Sequence, residues 1–153
     1  MARILIADDH RDTADTMCEY FVSHGYQAQT AYDGLSALEA IYAFDPAVVF
    51  LDLSMPQMTG LQVAVALRSQ PNGRQTFLVA VSGDTGVDLS ERVEQAGFNH
   101  HFAKPADLAS LLLLAETAVQ WQLATKLIAN DRGRHPNPGT DEAPPLRWQM
   151  PTG

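Results

Sequence analysis

Asp52 is the residue of this sequence best placed to do chemistry. It follows the apolar run A-V-V-F-L at 47–51, and a run this short and uniformly apolar predicts a strand buried on both faces of a parallel sheet. Pro56 prevents the strand from continuing, because proline has no N–H to donate. In open α/β sheets, ligands bind in the crevice beyond the carboxyl ends of the strands. We therefore expect Asp52 to be a carboxylate at a rigid strand tip, although an aspartate there can also serve only to stabilise a turn.

Polar or charged residues follow three more of the predicted strands. They are Asp8 and Asp9 after the first strand, Ser82 after the fourth and Lys104 after the fifth. Because parallel strands end at one edge of the sheet, these residues and Asp52 are expected to meet there. At an effective dielectric constant of 20, two carboxylates 4 Å apart repel each other by about 4 kcal/mol. Protonation, the Lys104 ammonium group or a bound cation must offset this repulsion, and Mg²⁺ suits a site of carboxylates and water.

A carboxylate beside a cation, an ammonium group and a hydroxyl group forms the set of groups that phosphoryl transfer requires. These residues therefore predict a nucleophilic carboxylate at Asp52 that accepts a phosphoryl group. Each residue type also has a common structural role, since an aspartate can cap a helix, a serine before glycine can belong to a turn, and a lysine before proline can lie on the surface. Their coincidence at several strand ends favours the phosphoryl-transfer site.

Strands and helices alternate five times along the chain. The apolar patterns predict strands at 3–7, 26–32, 47–51, 76–81 and 99–103. A helix is predicted after each strand, the fourth at 87–95 and the last from about 107, with Thr59 capping the third. The apolar side of the third helix is predicted to consist of Leu61, Ala64, Val65 and Leu67. This order predicts a parallel sheet with right-handed crossovers and helices on both faces.

The 153 residues suffice for one domain and carry a formal net charge of −8. This acidic balance argues against non-specific binding of nucleic acid and favours a metal ion or another cationic partner. Cys18 is the only cysteine, so no disulfide bond can form within the chain. The sequence has neither a signal-peptide pattern nor an apolar run approaching about 18 residues. We therefore expect a soluble, cytoplasmic protein without membrane contact. Five of the nine prolines lie after residue 129, which predicts a flexible tail there.

Four motifs, in order and spacing, resemble those of the receiver domain of the two-component response-regulator family. They are I-A-D-D-H at 6–10, L-D-L-S-M-P-Q-M-T-G at 51–60, A-V-S-G-D at 80–84 and F-A-K-P at 102–105. The resemblance covers about residues 1–125 and implies a receiver domain there, with a helix extension and a flexible tail at 126–153. It implies a flavodoxin-like (βα)5 fold of the α/β class, in which a doubly wound, five-stranded parallel sheet has the order 2-1-3-4-5 and an extended C-terminal helix follows.

The resemblance also implies a role for each residue at the predicted sheet edge. Asp52 is similar to the phosphoacceptor, while Lys104 matches the lysine that holds a phosphoryl oxygen and Ser82 matches the hydroxyl that turns toward the phosphoryl group. The implied Mg²⁺ ligands are Asp8, mainly through water, Asp9, Asp52 and the backbone carbonyl of Ser54. The Lys104–Pro105 peptide bond would be cis, which proline permits at low energetic cost.

Further positions are implied to control the signal. Ser54 and Asp84 would flank the path by which water approaches to remove the phosphoryl group. They would therefore set the lifetime of the phosphorylated form. Ser82 and His101 would act in the switch, but the family often has Tyr or Phe where His101 stands, and that ring turns inward on activation. His101 could instead rotate, or could make the response sensitive to pH. The histidines at 10, 24, 100 and 135 show no metal-binding spacing with one another.

These inferences predict a single-domain response regulator, which is not an enzyme beyond self-phosphotransfer and autodephosphorylation. Its partners would be a histidine kinase or histidine phosphotransfer protein and an unknown downstream protein, contacted through 87–95, 99–103 and the last helix. A homodimer through that helix is conceivable, and neither nucleic acid nor a membrane is expected as a partner.

Three alternatives stay open. A phosphohydrolase of the haloacid dehalogenase type would need a second aspartate where Ser54 stands. A transcription factor would need a DNA-binding domain, which the 24 residues after 129 cannot form. A receiver-like adaptor could bind its partner independently of phosphorylation.

Overall fold

The computed structural model describes residues 1–71, 73–84 and 86–134, without the side chains of Arg74 and residues 129–134. The described residues form the strands β1 (Arg3–Ala7), β2 (Gln27–Ala31), β3 (Val48–Asp52), β4 (Phe77–Ser82) and β5 (His100–Ala103). They also form the helices α1 (Arg11–Ser23), α2 (Gly34–Phe44), α3 (Gly60–Arg68), α4 (Leu89–Ala96) and α5 (Leu108–Arg134). A short 3₁₀ turn, Gly73–Gln75, precedes β4. From residue 135 onward, the predicted tail lies outside the described residues.

The five strands form one parallel sheet in the order β2-β1-β3-β4-β5. This order confirms the predicted flavodoxin-like, doubly wound fold. The chain reverses its direction of winding between β1 and β3, so a crevice is expected beyond the carboxyl ends of these two strands. Ala7 pairs with Leu51 and Asp52 pairs with Val81, which places the ends of β1, β3 and β4 side by side.

Side chains of the sheet alternate between two apolar clusters, one on each face. On one face, α1 and α5 cover a cluster in which the rings of Phe21 and Phe50 stack with their centres 5.2 Å apart. On the other face, α2, α3 and α4 cover residues such as Leu51 and Leu78. Because the three central strands are packed on both faces, their carboxyl ends are rigid positions for functional side chains.

Helix α3 is capped as predicted but turns a different side to the core. The Thr59 side chain accepts a hydrogen bond from the Gln62 N–H, and the Gln62 side chain accepts one from the Thr59 N–H. Because the helix begins at Gly60, the residue that faces the core at helical spacing is Val63. Val65 is exposed, so the prediction that it belongs to the buried side of this helix is wrong. The fourth helix also starts later than predicted, since Val87 precedes α4 and is 99% exposed.

Helix α5 has 27 residues and extends past the sheet, as predicted. Its first part packs on the core through residues such as Leu111 and Ala115, and Trp121 contacts the ring of Phe77 edge to face. None of the helices in the described part of the chain is long and apolar enough to cross a membrane.

Arg68, at the end of α3, links three segments that support β4 and β5. Its guanidinium group donates hydrogen bonds to the backbone carbonyls of Gly73, Thr76 and Gly97 and to the side-chain oxygen of Asn99. The same Asn99 oxygen accepts a hydrogen bond of 2.8 Å from the N–H of Leu78. Arg68 therefore fixes the starts of the two strands whose far ends carry Ser82 and Lys104.

Replacing Arg68 with methionine is expected to lower the free energy of unfolding by about 2–4 kcal/mol, because several hydrogen-bond acceptors lose their donor at once. Urea denaturation followed by circular dichroism measures this loss. The control is Arg92→Met, because Arg92 lies on the exposed side of α4 and its replacement should change stability by less than about 0.5 kcal/mol. Equal stability of the two variants would show that Arg68 does not fix these segments.

Candidate functional site

Two buried carboxylates lie at the carboxyl ends of the central strands. Asp52 is the last residue of β3 and is 5% exposed, and Asp8 directly follows β1 and is 3% exposed. The N–H of Asp8 donates to the carbonyl of Ala31, so the ladder between β1 and β2 continues up to the site. The sequence thus places both carboxylates on backbone that the sheet holds in position.

Lys104 brings a positive charge to both carboxylates. Its Nζ lies 2.9 Å from Asp8 Oδ2 and 3.2 Å from Asp52 Oδ2. The N–H of Lys104 donates to the carbonyl of Ser82, so the residue is anchored at the end of β4, and its peptide bond to Pro105 is cis. Protonation, the lysine and a bound cation were the three ways to offset the repulsion between the carboxylates. The structure shows that the lysine contacts both carboxylates directly.

The second oxygen of each carboxylate accepts a hydrogen bond from the loop that follows its strand. Asp52 Oδ1 accepts from the N–H of Ser54 at 3.1 Å, and Asp8 Oδ1 accepts from the N–H of His10 at 2.9 Å. Such bonds stabilise the ionised form of a carboxylate and fix its orientation. Both carboxylates are thus held from two sides, by a backbone N–H and by Lys104.

The pKa values of the two carboxylates shift in opposite directions. Burial raises the pKa of Asp52 and outweighs the hydrogen bond from the Ser54 N–H, while the neighbouring Asp8 raises it further. Burial also acts to raise the pKa of Asp8, but the His10 N–H and Lys104 outweigh it and leave the pKa below its usual value. The ionised form of Asp52 is therefore the less stabilised of the two.

The pKa of Lys104 lies above its usual value. Burial acts to lower it, but the hydrogen bonds and the negative charges of Asp8 and Asp52 outweigh that effect. Lys104 is therefore a fixed cation at neutral pH, in reach of both carboxylates.

Asp9 and His10 complete a cluster of possible metal ligands. Asp8, Asp9, His10 and Asp52 each offer one ligand atom, and these four atoms lie within 4.8 Å of one another. His10 Nδ1 lies 3.3 Å from Asp8 Oδ1 and 3.4 Å from Asp9 Oδ1. The place of His10 in this cluster does not follow from the spacing of the histidines along the chain, whereas its position directly after Asp9 is a signal that the sequence offers.

Ser82 and Asp84 lie together beyond β4. Ser82 is buried and directly follows Val81, the register partner of Asp52. Its hydroxyl oxygen accepts a hydrogen bond of 3.0 Å from the N–H of Asp84, and the Asp84 carboxylate accepts one from the N–H of Gly86. The hydroxyl predicted to meet a phosphoryl group thus lies at the sheet edge and holds the following loop.

His101 lies on β5 opposite Ala80, three residues before Lys104. Among the described side chains, its Nε2 is the buried polar atom that has no hydrogen-bond partner, and burial lowers its pKa. The neighbouring Phe102 packs against the cluster under α1 and α5, on the face that strand alternation predicts.

A cavity of about 580 Å³ opens beside the cluster. Asp8, Asp52 and Lys104 line it together with Asp12 and Thr13 of α1. A larger cavity of about 990 Å³ is lined by residues such as Arg3 and Ala47, at the amino ends of the strands. The smaller cavity therefore gives access to the charged cluster.

Gly60 allows α3 to begin directly against the end of β3. Its N–H donates to the carbonyl of Leu53, and a Cβ atom at this position would lie 2.3 Å from the backbone oxygen of Asp52. In the sequence, Gly60 is only the last residue of the motif at 51–60, and its steric role becomes visible only when α3 is placed on the strand.

Replacing Gly60 with alanine is expected to lower the free energy of unfolding by about 1–3 kcal/mol, because the new methyl group must displace backbone at Asp52. Urea denaturation measures the effect. Gly83→Ala is the matched control, since a Cβ atom at Gly83 meets no atom of the described residues within 4 Å, apart from its own chain neighbours. If Gly60→Ala proved as stable as Gly83→Ala, the close packing of α3 on this strand end would be refuted.

A family model described as the response regulator receiver domain matches residues 4–116. Response regulator MprA of Mycobacterium ulcerans (strain Agy99) is 36% identical over 112 residues, which cover 72% of this chain and 47% of that protein. The chain thus spans about half the length of the MprA relatives that it matches. Sporulation initiation phosphotransferase F of Bacillus subtilis (strain 168) is 29% identical over 106 residues, which cover 69% of this chain and 84% of that protein.

A solved structure of the chemotaxis response regulator CheY4 of Vibrio cholerae is similar to this fold. Its TM-score is 0.71 with 25% sequence identity, and the match covers 77% of this chain and 98% of that chain.

Proposed function

The chain belongs to the response regulator receiver domain family, and from this membership we propose that it accepts a phosphoryl group on Asp52 from a histidine kinase or histidine phosphotransfer protein. The observation that carries the proposal is the Asp52 carboxylate itself. It is buried at a strand tip, its pKa is raised, and Lys104 Nζ lies 3.2 Å from one of its oxygens.

In the proposed reaction, an Asp52 oxygen attacks the phosphorus of a phosphohistidine. The phosphorus–nitrogen bond of the donor breaks, an acyl phosphate forms on Asp52, and the leaving imidazole takes a proton from solvent. Lys104 supports this step because it lies beside the carboxylate that will carry the phosphoryl oxygens. We assign Ser82 the role of a second donor, whose hydroxyl leaves the N–H of Asp84 and turns to the phosphoryl group.

The donor atoms of the cluster fit Mg²⁺, which prefers oxygen ligands and binds through carboxylates and water. We propose that Asp9, Asp52, the backbone carbonyl of Ser54 and, mainly through water, Asp8 hold it, because the three carboxylates already lie in one cluster. When bound, the ion would neutralise negative charge on the transferred group.

The signal would be ended and transmitted by residues around the same sheet edge. Ser54 and Asp84 follow β3 and β4 by two residues each, and we propose that they set the lifetime of the acyl phosphate. His101 and Ser82 would form the switch. The buried Nε2 of His101 has no hydrogen-bond partner among the described residues, which supports a change of its side-chain position on activation. The output surface would consist of α4, β5 and α5.

We further propose that this receiver acts as a single domain in the cytoplasm and signals through a protein partner. Its similarity to phosphotransferase F over 84% of that protein supports this, whereas the MprA relatives extend well beyond the matched part. Leu123 and Leu127 on the end of α5 are exposed, which supports α5 as the surface of a possible homodimer.

Incubation with acetyl phosphate, followed by intact mass spectrometry, tests the proposal. We expect the mass of one phosphoryl group to be added in the presence of Mg²⁺ and not in the presence of EDTA. If no phosphoryl group is added under either condition, the proposal fails and a binding module that works without phosphorylation becomes the better account.

A further inference from the structure

We propose that His10 is an additional metal ligand, so that this site favours ions that accept nitrogen ligands more than an all-oxygen site would. The inference rests on the proposed metal site of Asp8, Asp9 and Asp52. It adds a ligand of a different chemical class to that site.

The distances around His10 are a few tenths of an ångström longer than those between neighbouring ligands on one ion. Its Nδ1 lies 3.3 Å from Asp8 Oδ1 and 3.4 Å from Asp9 Oδ1. Adjacent ligands of an octahedral ion with bonds of about 2.1 Å lie about 3.0 Å apart, and opposite ligands lie about 4.2 Å apart. The four ligand atoms all lie within 4.8 Å of one another, which is close to the span of one octahedral ligand shell.

The backbone holds His10 in place, and its exposed ring lies against the two neighbouring carboxylates. Its N–H donates to Asp8 Oδ1 at 2.9 Å, and its side chain is 73% exposed. His10 stands at the N-cap of α1, yet its side chain makes no capping hydrogen bond. Because Ser, Thr, Asp and Asn are the residues that stabilise an N-cap, helix capping does not account for a histidine at this position.

The chemistry of imidazole predicts how His10 would change the preference of the site. Carboxylates and water suit Mg²⁺, whereas imidazole nitrogen is a good ligand for later transition metals such as Co²⁺ and Zn²⁺. A nitrogen ligand therefore adds little to the affinity for Mg²⁺ and much to the affinity for Co²⁺, with Mn²⁺ between them. If the ring served only as a hydrogen-bond partner of Asp8, its removal would change the affinity of the site for all three ions by the same factor.

Isothermal titration calorimetry of the native chain, His10→Ala and His24→Ala with Mg²⁺, Mn²⁺ and Co²⁺ separates these roles. His24 is the matched control because it is exposed at the opposite end of α1. We expect His10→Ala to weaken Co²⁺ binding about tenfold or more and to leave Mg²⁺ binding within about twofold. His24→Ala should bind all three ions as the native chain does.

Pulsed electron paramagnetic resonance of bound Mn²⁺ supplies an independent readout. We expect a coupling to imidazole nitrogen in the native chain and in His24→Ala, and its loss in His10→Ala. Two results would show that this inference is wrong while the proposed metal site stands. Either the ions bind but the native chain shows no nitrogen coupling, or His10→Ala weakens the binding of all three ions equally. If the native chain binds none of the ions, both are wrong.

Discussion

Replacing Asp52 with asparagine is expected to reduce phosphoryl uptake from acetyl phosphate at least about a hundredfold, because the amide lacks the nucleophilic oxygen anion. The fold should be unaffected, since asparagine has nearly the shape of aspartate and its amide oxygen can still accept the hydrogen bond from the Ser54 N–H. Intact mass spectrometry measures the uptake, and circular dichroism measures the fold.

The same variant is expected to be more stable than the native chain at pH 7. Because folding raises the pKa of Asp52, this group contributes stability below its unfolded pKa and loses that contribution as the pH rises through its folded pKa. At neutral pH the native protein therefore bears the cost of a buried, ionised carboxylate beside Asp8. Asparagine removes this charge, so urea denaturation should show a higher free energy of unfolding at pH 7 and a smaller difference at pH 4.

Asp45→Asn is the matched control for both measurements. Asp45 is exposed at the opposite edge of the sheet and has a φ of 50°, a left-handed conformation that asparagine also adopts. This variant should take up the phosphoryl group like the native chain. Full uptake by Asp52→Asn would mean that another residue is the acceptor, and a less stable Asp52→Asn would contradict the electrostatic account of the site.

Replacing Lys104 with methionine is expected to lower the free energy of unfolding at pH 7 by about 3 kcal/mol, because two buried carboxylates lose the cation between them. Phosphoryl uptake should also slow, since a positive charge beside the acceptor is lost. Lys126→Met replaces the other lysine of the chain, which is exposed on α5, and should have little effect on either quantity.

The pH dependence of this loss follows from the pKa shifts. Lys104 has a raised pKa, so its contribution is present below its unfolded pKa and disappears as the pH rises through the folded value. Asp8 has a lowered pKa, so its contribution is present above its unfolded pKa and disappears as the pH falls through the folded value. The deficit of Lys104→Met should therefore be largest between about pH 5 and pH 10.

The double variant Asp52→Asn, Lys104→Met separates charge from packing. Because Lys104 no longer offsets the charge of Asp52 in Lys104→Met, Asp52→Asn should raise the free energy of unfolding more in that variant than it does in the native chain. If Asp52→Asn raised the free energy of unfolding equally in both, loss of the lysine side chain from its packing, rather than of its charge, would explain the effect of Lys104→Met.

Much of the site could be predicted from the sequence because strand ends are visible in it. Each buried strand appears as a short apolar run, so the first polar residue after the run marks the sheet edge, as for Asp8 and Asp52. The parallel order of the strands then brings these residues together without any knowledge of side-chain contacts.

The contacts within the site could not be predicted in this way. Nothing in the sequence shows that Lys104 contacts Asp8 as well as Asp52, since the two aspartates lie 44 residues apart in the chain and meet only in the folded sheet. The place of His10 depends on the path of the loop into α1, and the exposure of Val65 depends on the residue at which α3 begins. Such features are set by three-dimensional placement rather than by residue pattern.

Chemical trapping identifies the residue that carries the phosphoryl group, which we propose is Asp52. The native chain is incubated with acetyl phosphate and Mg²⁺, reduced with borohydride, which converts an acyl phosphate of aspartate to homoserine, and digested for peptide mass spectrometry. We predict homoserine at position 52 and aspartate at every other aspartate position. Homoserine at Asp8, Asp9 or Asp84, or a phosphoryl group retained on Ser54 or Ser82, would contradict the account.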